Sequence, residues 1–203
     1  MKGFWKMDNA KEMKKENNNG NNRMQHKMLL DMIYIALFAA IIAVCAQIQL
    51  PIGPVPFTLQ TLGVFAASGL LGAKRGTLSV LIYILLGAVG VPVFAGFSGG
   101  FSVLIGSTGG YIIGFLLTAL TVGIMTDLLG KKLWVLIVSM VVGLALCYVF
   151  GTAWFIIVMN NQGKAMDIAT ALSYCVIPFL IPDAAKIAVA TVLVNRLDKI
   201  IKL

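Results

Sequence analysis

Histidine is all but missing from this chain, acidic residues number only eight, and charged residues of every kind make up 12% of the whole. The one histidine, His26, stands beside Lys27 in a polar N-terminal stretch. Its position there removes histidine-based acid-base catalysis and most metal chemistry from the apolar body of the protein. Cysteine is also sparse, and Cys45, Cys147 and Cys175 lie in apolar segments without metal-ligand spacing. An odd number without a pattern reads as buried free thiols rather than a disulfide framework. A soluble domain normally carries about 25% charged residues. With 59% apolar residues and a mean hydropathy of +0.93, this chain is too apolar for water and is read as an integral membrane protein.

What is there in excess is positive charge, at a formal +8. In a soluble protein that excess would point to nucleic acid, so its distribution has to be examined first. Windows of about 20 apolar residues predict six membrane segments: Met32–Leu50, Phe57–Ala73, Gly76–Phe94, Thr108–Leu129, Leu133–Met159 and Ala165–Leu197. With the N-terminus inside, fourteen of the 16 Lys and Arg fall on the cytoplasmic side: those of the first 28 residues, Lys74, Arg75, Lys131, Lys132, Arg196, Lys199 and Lys202. Lys164 lies outside and Lys186 within the membrane. The basic excess is therefore topology by the positive-inside rule, not a nucleic-acid surface. The expected fold is all-α, an integral membrane six-helix bundle with both termini cytoplasmic. Residues 1–28, rich in Lys and Asn, form a tail that cannot bury a core and is expected to be disordered, and 29–203 form the membrane domain.

Two of the loops this topology places outside are unlike ordinary connectors. Pro51-Ile52-Gly53-Pro54-Val55-Pro56 is stiff and extended, and the polar Thr58, Gln60 and Thr61 follow it. The segment 91–107 carries Gly96, Gly99, Gly100 and Gly106 around an apolar run, and Gly109 and Gly110 follow. Irregular backbone at membrane depth is tolerated only where it is buried or lines a cavity. Both loops are expected to cap an outward-facing cavity with Phe57, Phe94, Phe97, Phe101 and Tyr111 available as walls. Gln47 and Gln49 are expected merely to reach the outer interface.

The stretch Pro178-Phe179-Leu180-Ile181-Pro182-Asp183-Ala184-Ala185-Lys186 holds an acid and a base inside a long apolar segment. Charge at that depth is expensive and by default functional. Ala165–Leu197 is too long for one straight span, so a break near Pro178 and Pro182 is expected. A helix starting at Pro182 puts Asp183 in its first turn and Lys186 three residues on, on one face. Counting from Arg196 at the inner interface, Asp183 lies about 20 Å up a core of about 30 Å, in the outer half. The plain alternative for the pair is an ionic tie between helices.

The runs Pro51–Gly63, Leu71–Gly76, Gly87–Gly96, Gly106–Tyr111 and Pro182–Lys186, falling in that order, resemble the BioY family, the biotin-specific S components of energy-coupling-factor (ECF) transporters. The resemblance covers residues 30–203. It implies a six-helix bundle that binds biotin from outside and works with a transmembrane coupling subunit (T component) and two cytoplasmic ATPases, in the bacterial cell membrane. No cofactor is expected on this chain, which has no phosphate-binding glycine loop with its lysine, so ATP use falls to the partners. By position, the resemblance makes Asp183 and Lys186 the polar contacts to biotin, with Tyr111 and the loop Ser98, Gly99 and Gly100 nearby, and Gln60 and Phe97 as further candidates. The family pattern often has glycine before the aspartate and asparagine where Ser98 stands; here Pro182 precedes Asp183. A ureido ring offers two N–H donors and one carbonyl acceptor, which a carboxylate beside an ammonium complements. Small residues at spacings of four on the first span, Ala36 with Ala40 and Ala39 with Ala43, let another helix approach closely. In the resembled family such a stripe docks on the coupling subunit.

Two other classes are weighed against this reading. An ion-coupled secondary transporter of a small anionic or vitamin substrate would also hold a lone membrane carboxylate, but usually shows an inverted repeat, and none is visible. An intramembrane hydrolase needs a second acid, or a nucleophile with a base, and Asp183 has neither.

Overall fold

The computed structural model describes residues 2–50 and 55–200, with side chains from residue 24 onward. The run Pro51–Pro54 of the first loop therefore lies outside the described residues. The chain divides into two units, Met1–Tyr34 and Ile35–Leu203. The first is a stretch of helix α1 (Lys2–Gln47). The rest of the fold belongs to the second: β1 (Gln49–Leu50), β2 (Phe57–Thr58), α2 (Gln60–Ala88), α3 (Phe101–Ile105), α4 (Gly109–Leu129), α5 (Leu133–Asn161), α6 (Ile168–Cys175) and α7 (Leu180–Ile200). Short 3-10 turns at Ala95–Phe97 and Ile177–Phe179 precede α3 and α7.

The polar residues from Lys2 onward, expected from composition to form a disordered tail, are helical. The part of α1 apolar enough to cross a bilayer falls, among the described residues, within Met24–Gln47. Among the described residues, five helical stretches are long and apolar enough to cross: Met24–Gln47, Gln60–Ala88, Gly109–Leu129, Leu133–Asn161 and Ile168–Ile200.

The second of these is not a straight rod. At Gly72 the backbone leaves helical geometry (φ 77°, ψ −173°). On a straight helix Gln60 and Tyr83 would be about 34 Å apart, yet the Gln60 amide donates to the Tyr83 hydroxyl. Ser68 and Gly76 stand four residues either side of Gly72, and a Cβ on Gly76 would lie 2.6 Å from Ser68 Cα. The chain therefore doubles back at Gly72, and α2 is two antiparallel arms, residues 60–71 and 73–88. Two conditions make glycine necessary at the turn. Its φ and ψ lie in a region that only glycine enters readily, and a Cβ there would overlap Asp127 Oδ1. Asp127 Oδ2 accepts the Ala73 N–H at 2.9 Å, satisfying a donor that the start of the second arm leaves open.

The remaining helices close around the first arm. Small residues bring α4 and α5 together: a Cβ on Gly143 would lie 3.2 Å from Thr118, whose hydroxyl donates to the Gly143 carbonyl at 2.9 Å. Against α7 the first arm packs Gly69 on Val194. The core between them holds Val64, Phe65, Leu70, Leu136, Met140 and Ala190. Lys131, in the α4–α5 connection, bridges the Leu70 carbonyl and the Asp198 carboxylate, each at 2.7 Å, and so ties the ends of three helices.

The last apolar segment is interrupted between Cys175 and Leu180. Pro178 lies in the 3-10 turn, and α7 begins at Leu180, two residues before Pro182. Proline is tolerated within a first turn because the N–H it lacks has no intrahelical partner there. Asp183 remains in that first turn.

Candidate functional site

A cavity of about 160 Å³ opens among α2, α4, α5, α7 and the two irregular loops. Its polar floor is made by α7. Asp183 and Lys186, three residues apart on one face, are 3% and 6% exposed, and the ammonium meets Asp183 Oδ1 at 2.6 Å. Oδ1 also accepts from the Thr61 hydroxyl at 3.4 Å, and Oδ2 accepts from the Tyr148 hydroxyl. The Lys186 ammonium lies 4.1 Å from the centre of the Phe57 ring, which itself stacks on Phe179. Phe57 is held there by pairing of β1 with β2, in which Leu50 faces Phe57, and by the Leu59 N–H donating to the Ile48 carbonyl. Buried charge is stable only when paired and hydrogen-bonded, and this pair is both.

The site keeps unused capacity. A carboxylate has about four lone-pair sites; three are taken by Lys186, Thr61 and Tyr148. An ammonium has three donors, of which Asp183 takes one. One carboxylate acceptor position and ammonium donors beside an aromatic face are thus left at the cavity. A ligand offering both an N–H and an oxygen fits that set, and the remaining wall, with Phe94, Val103, Ile112, Phe115 and Leu144, is apolar.

The other sequence candidates divide. Gln60 lines the cavity, but its amide is engaged with Thr58 and Tyr83, closing the open end of the α2 hairpin. Tyr111 lines it with its hydroxyl paired to Thr152 at 2.9 Å. Ser98 lines it while donating to the Ala95 carbonyl at 2.8 Å. Gly99, Gly100 and Phe97 do not line it. Gly99 is pressed against the Val91 carbonyl and the Gly100 N–H donates to the Gly87 carbonyl at 2.7 Å, so these glycines stitch the loop to the end of α2. The Phe97 ring is 73% exposed and turned away. The first-span stripe also splits, with Ala36 and Ala40 exposed, Ala43 half-buried and Ala39 in the core. Cys147 and Cys175 are buried free thiols of the cavity wall, and Cys45 is a half-buried free thiol.

Tyr148 is the contact that sequence reasoning missed. Tyrosines in membrane proteins belong at the two interfaces, and this one lies mid-span in α5. That misplacement was the available signal. Gln47 was misjudged as well: rather than reaching to the interface, it bonds the loop at 93–97.

Residues 13–203 match the family model described as the BioY family. The chain belongs to the BioY family. Among its relatives, the biotin transporter BioY of Thermotoga maritima is 43% identical over 169 residues, covering 83% of this chain and 96% of the relative. The probable biotin transporter BioY of Pyrococcus horikoshii is 42% identical over 164 residues, 81% of this chain and 93% of the relative. A crystal structure of the S-component for biotin from an ECF-type ABC transporter superposes with a TM-score of 0.78 at 28% identity, covering 86% of this chain and 93% of that one. Together with the apolar helices, this makes the BioY-family chain a multi-pass membrane protein.

Proposed function

We propose that this chain is the biotin-capturing S component of an ECF-type uptake transporter, a binding subunit rather than an enzyme. The observation that carries the reading is the buried Asp183–Lys186 pair at the cavity, with one acceptor position and ammonium donors unspent beside the Phe57 ring. Asp183 accepts from a ureido N–H and Lys186 donates to a ligand oxygen, while the fused ring and alkyl chain lie on the apolar wall. Tyr148 and Thr61 hold the carboxylate in place for this contact. Tyr111, Ser98 and Gln60 shape the cavity, and Gly99 and Gly100 act through the loop they fasten.

Six spans follow from counting the two arms of α2 separately, with Gly72 at the cytoplasmic turn beside Lys74 and Arg75. Both termini are then inside the cell membrane's cytoplasmic face and the cavity opens outward. A T component docks on the exposed Ala36 and Ala40, and two partner ATPases supply the energy. Titration of the purified chain with biotin, using thiamine and riboflavin as controls, tests the reading. One-to-one saturable binding of biotin alone is expected; equal binding of a control, or none of biotin, overturns it.

A further inference from the structure

One side chain outside the cavity holds its loop. Gln47, at the C-terminal end of α1, donates from Nε2 to the Val93 carbonyl at 3.2 Å and the Phe94 carbonyl at 3.1 Å, and Oε1 accepts the Phe97 N–H at 2.9 Å. Nε2 also lies 3.3 Å from the Ala43 carbonyl, so its two hydrogens are shared among three acceptors. Two carbonyls and one N–H on the loop fix which end of the amide is which. The same loop supplies Phe94, Ala95 and Ser98 to the cavity wall. Besides the stitching at Gly99 and Gly100, the loop is fastened by the Phe94 ring, 1% exposed and set edge-on against Tyr83. Phe97 itself has a positive φ of 54°, which costs a non-glycine residue free energy and has to be held.

We infer that Gln47 is a positioning residue that clasps the 93–97 loop over the cavity and thereby sets how long the ligand stays bound. The inference rests on the proposed function. The Phe94 ring remains as an anchor when Gln47 is replaced, so the fold survives while the loop loosens. A looser wall lets ligand escape sooner but leaves the polar floor, and hence initial capture, as it was.

The test measures biotin association and dissociation on the full chain and on Gln47→Met, which keeps length and volume but has no amide. Gln47→Glu, which keeps an acceptor for Phe97 and loses both donors, gives the same comparison should the methionine variant not fold. Gln162→Met, at an exposed position just past the end of α5, is the control. Dissociation is expected to quicken about tenfold with association within about threefold, since related variants differ mostly in off-rate. In parallel, a spin label on Phe97→Cys, in a chain lacking Cys45, Cys147 and Cys175, reports loop mobility without ligand and should show greater motion in the Gln47 variants. Unchanged dissociation with an unchanged label would overturn the clasp. Absence of biotin binding in the unaltered chain would instead sink the proposed function, and the label would still read the clasp.

Discussion

The acid of the α7 site is held by three neighbours on three different stretches of chain: Lys186 on α7, Thr61 on α2 and Tyr148 on α5. A hydrogen bond to a charged group contributes about 1.5–3 kcal/mol, so Tyr148→Phe should weaken biotin binding about tenfold by freeing the carboxylate to turn. Calorimetric titration giving an affinity within twofold of the parent would show that the hydroxyl does not hold the acid. Asp183→Asn offers a donor where an acceptor is needed and leaves Lys186 unpaired, a loss on the order of 3 kcal/mol or a hundredfold in affinity. The double variant Asp183→Asn with Lys186→Met separates a binding site from a tie between helices. It should bind no better than the worse single variant. Near-normal affinity in a folded double variant would assign the pair to structure alone. The pair itself was legible in the sequence because charge inside an apolar run is rare; Tyr148 was not read, because the contact depends on how α5 is rotated against α7.

At the level of the elements, the turn at Gly72 does the most with one residue. Gly72→Ala adds a Cβ in a glycine-only region of φ and ψ and against the Asp127 carboxylate. A cost of about 1–3 kcal/mol for the backbone alone should lower the unfolding midpoint by several degrees. Asp127→Ala in the same chain should restore little, because it relieves the overlap but not the backbone, and it removes the acceptor of the Ala73 N–H. A thermal melt of Gly72→Ala indistinguishable from the parent would mean that the arms turn by other means. Helix α1 makes the complementary case. Ala36 and Ala40 are exposed and Ala39 is 3% exposed, so a stripe continuous in sequence serves two surfaces. Leucines at Ala36 and Ala40 should abolish uptake with biotin binding intact, whereas Ala39→Leu overpacks the core and should lower stability by about 1–3 kcal/mol. Equal loss of binding from the first pair would place that face inside the bundle.

For the whole molecule, the proposed topology rests on the distribution of Lys and Arg and on the reversal at Gly72. Gln162 and Lys132 are both exposed, at opposite ends of α5. Single cysteines placed there, in a chain lacking Cys45, Cys147 and Cys175, should react oppositely with an impermeant reagent on whole cells, Gln162→Cys labelled and Lys132→Cys protected. Label at Lys132→Cys alone would invert the orientation. The membrane setting, the break before α7 and the Asp183–Lys186 pair were determined by the sequence alone. Each is a local excess or shortage of charge, apolar length or proline, and such quantities are read one segment at a time. That Gly99 and Gly100 fasten the loop rather than line the cavity, which alanines face outward, and that Gln47 and Tyr148 reach their partners were decided only by the tertiary structure. Those contacts join positions 35 to 50 residues apart, and the rotation of one helix against another that brings them together is set by packing across the bundle rather than by spacing along any one segment.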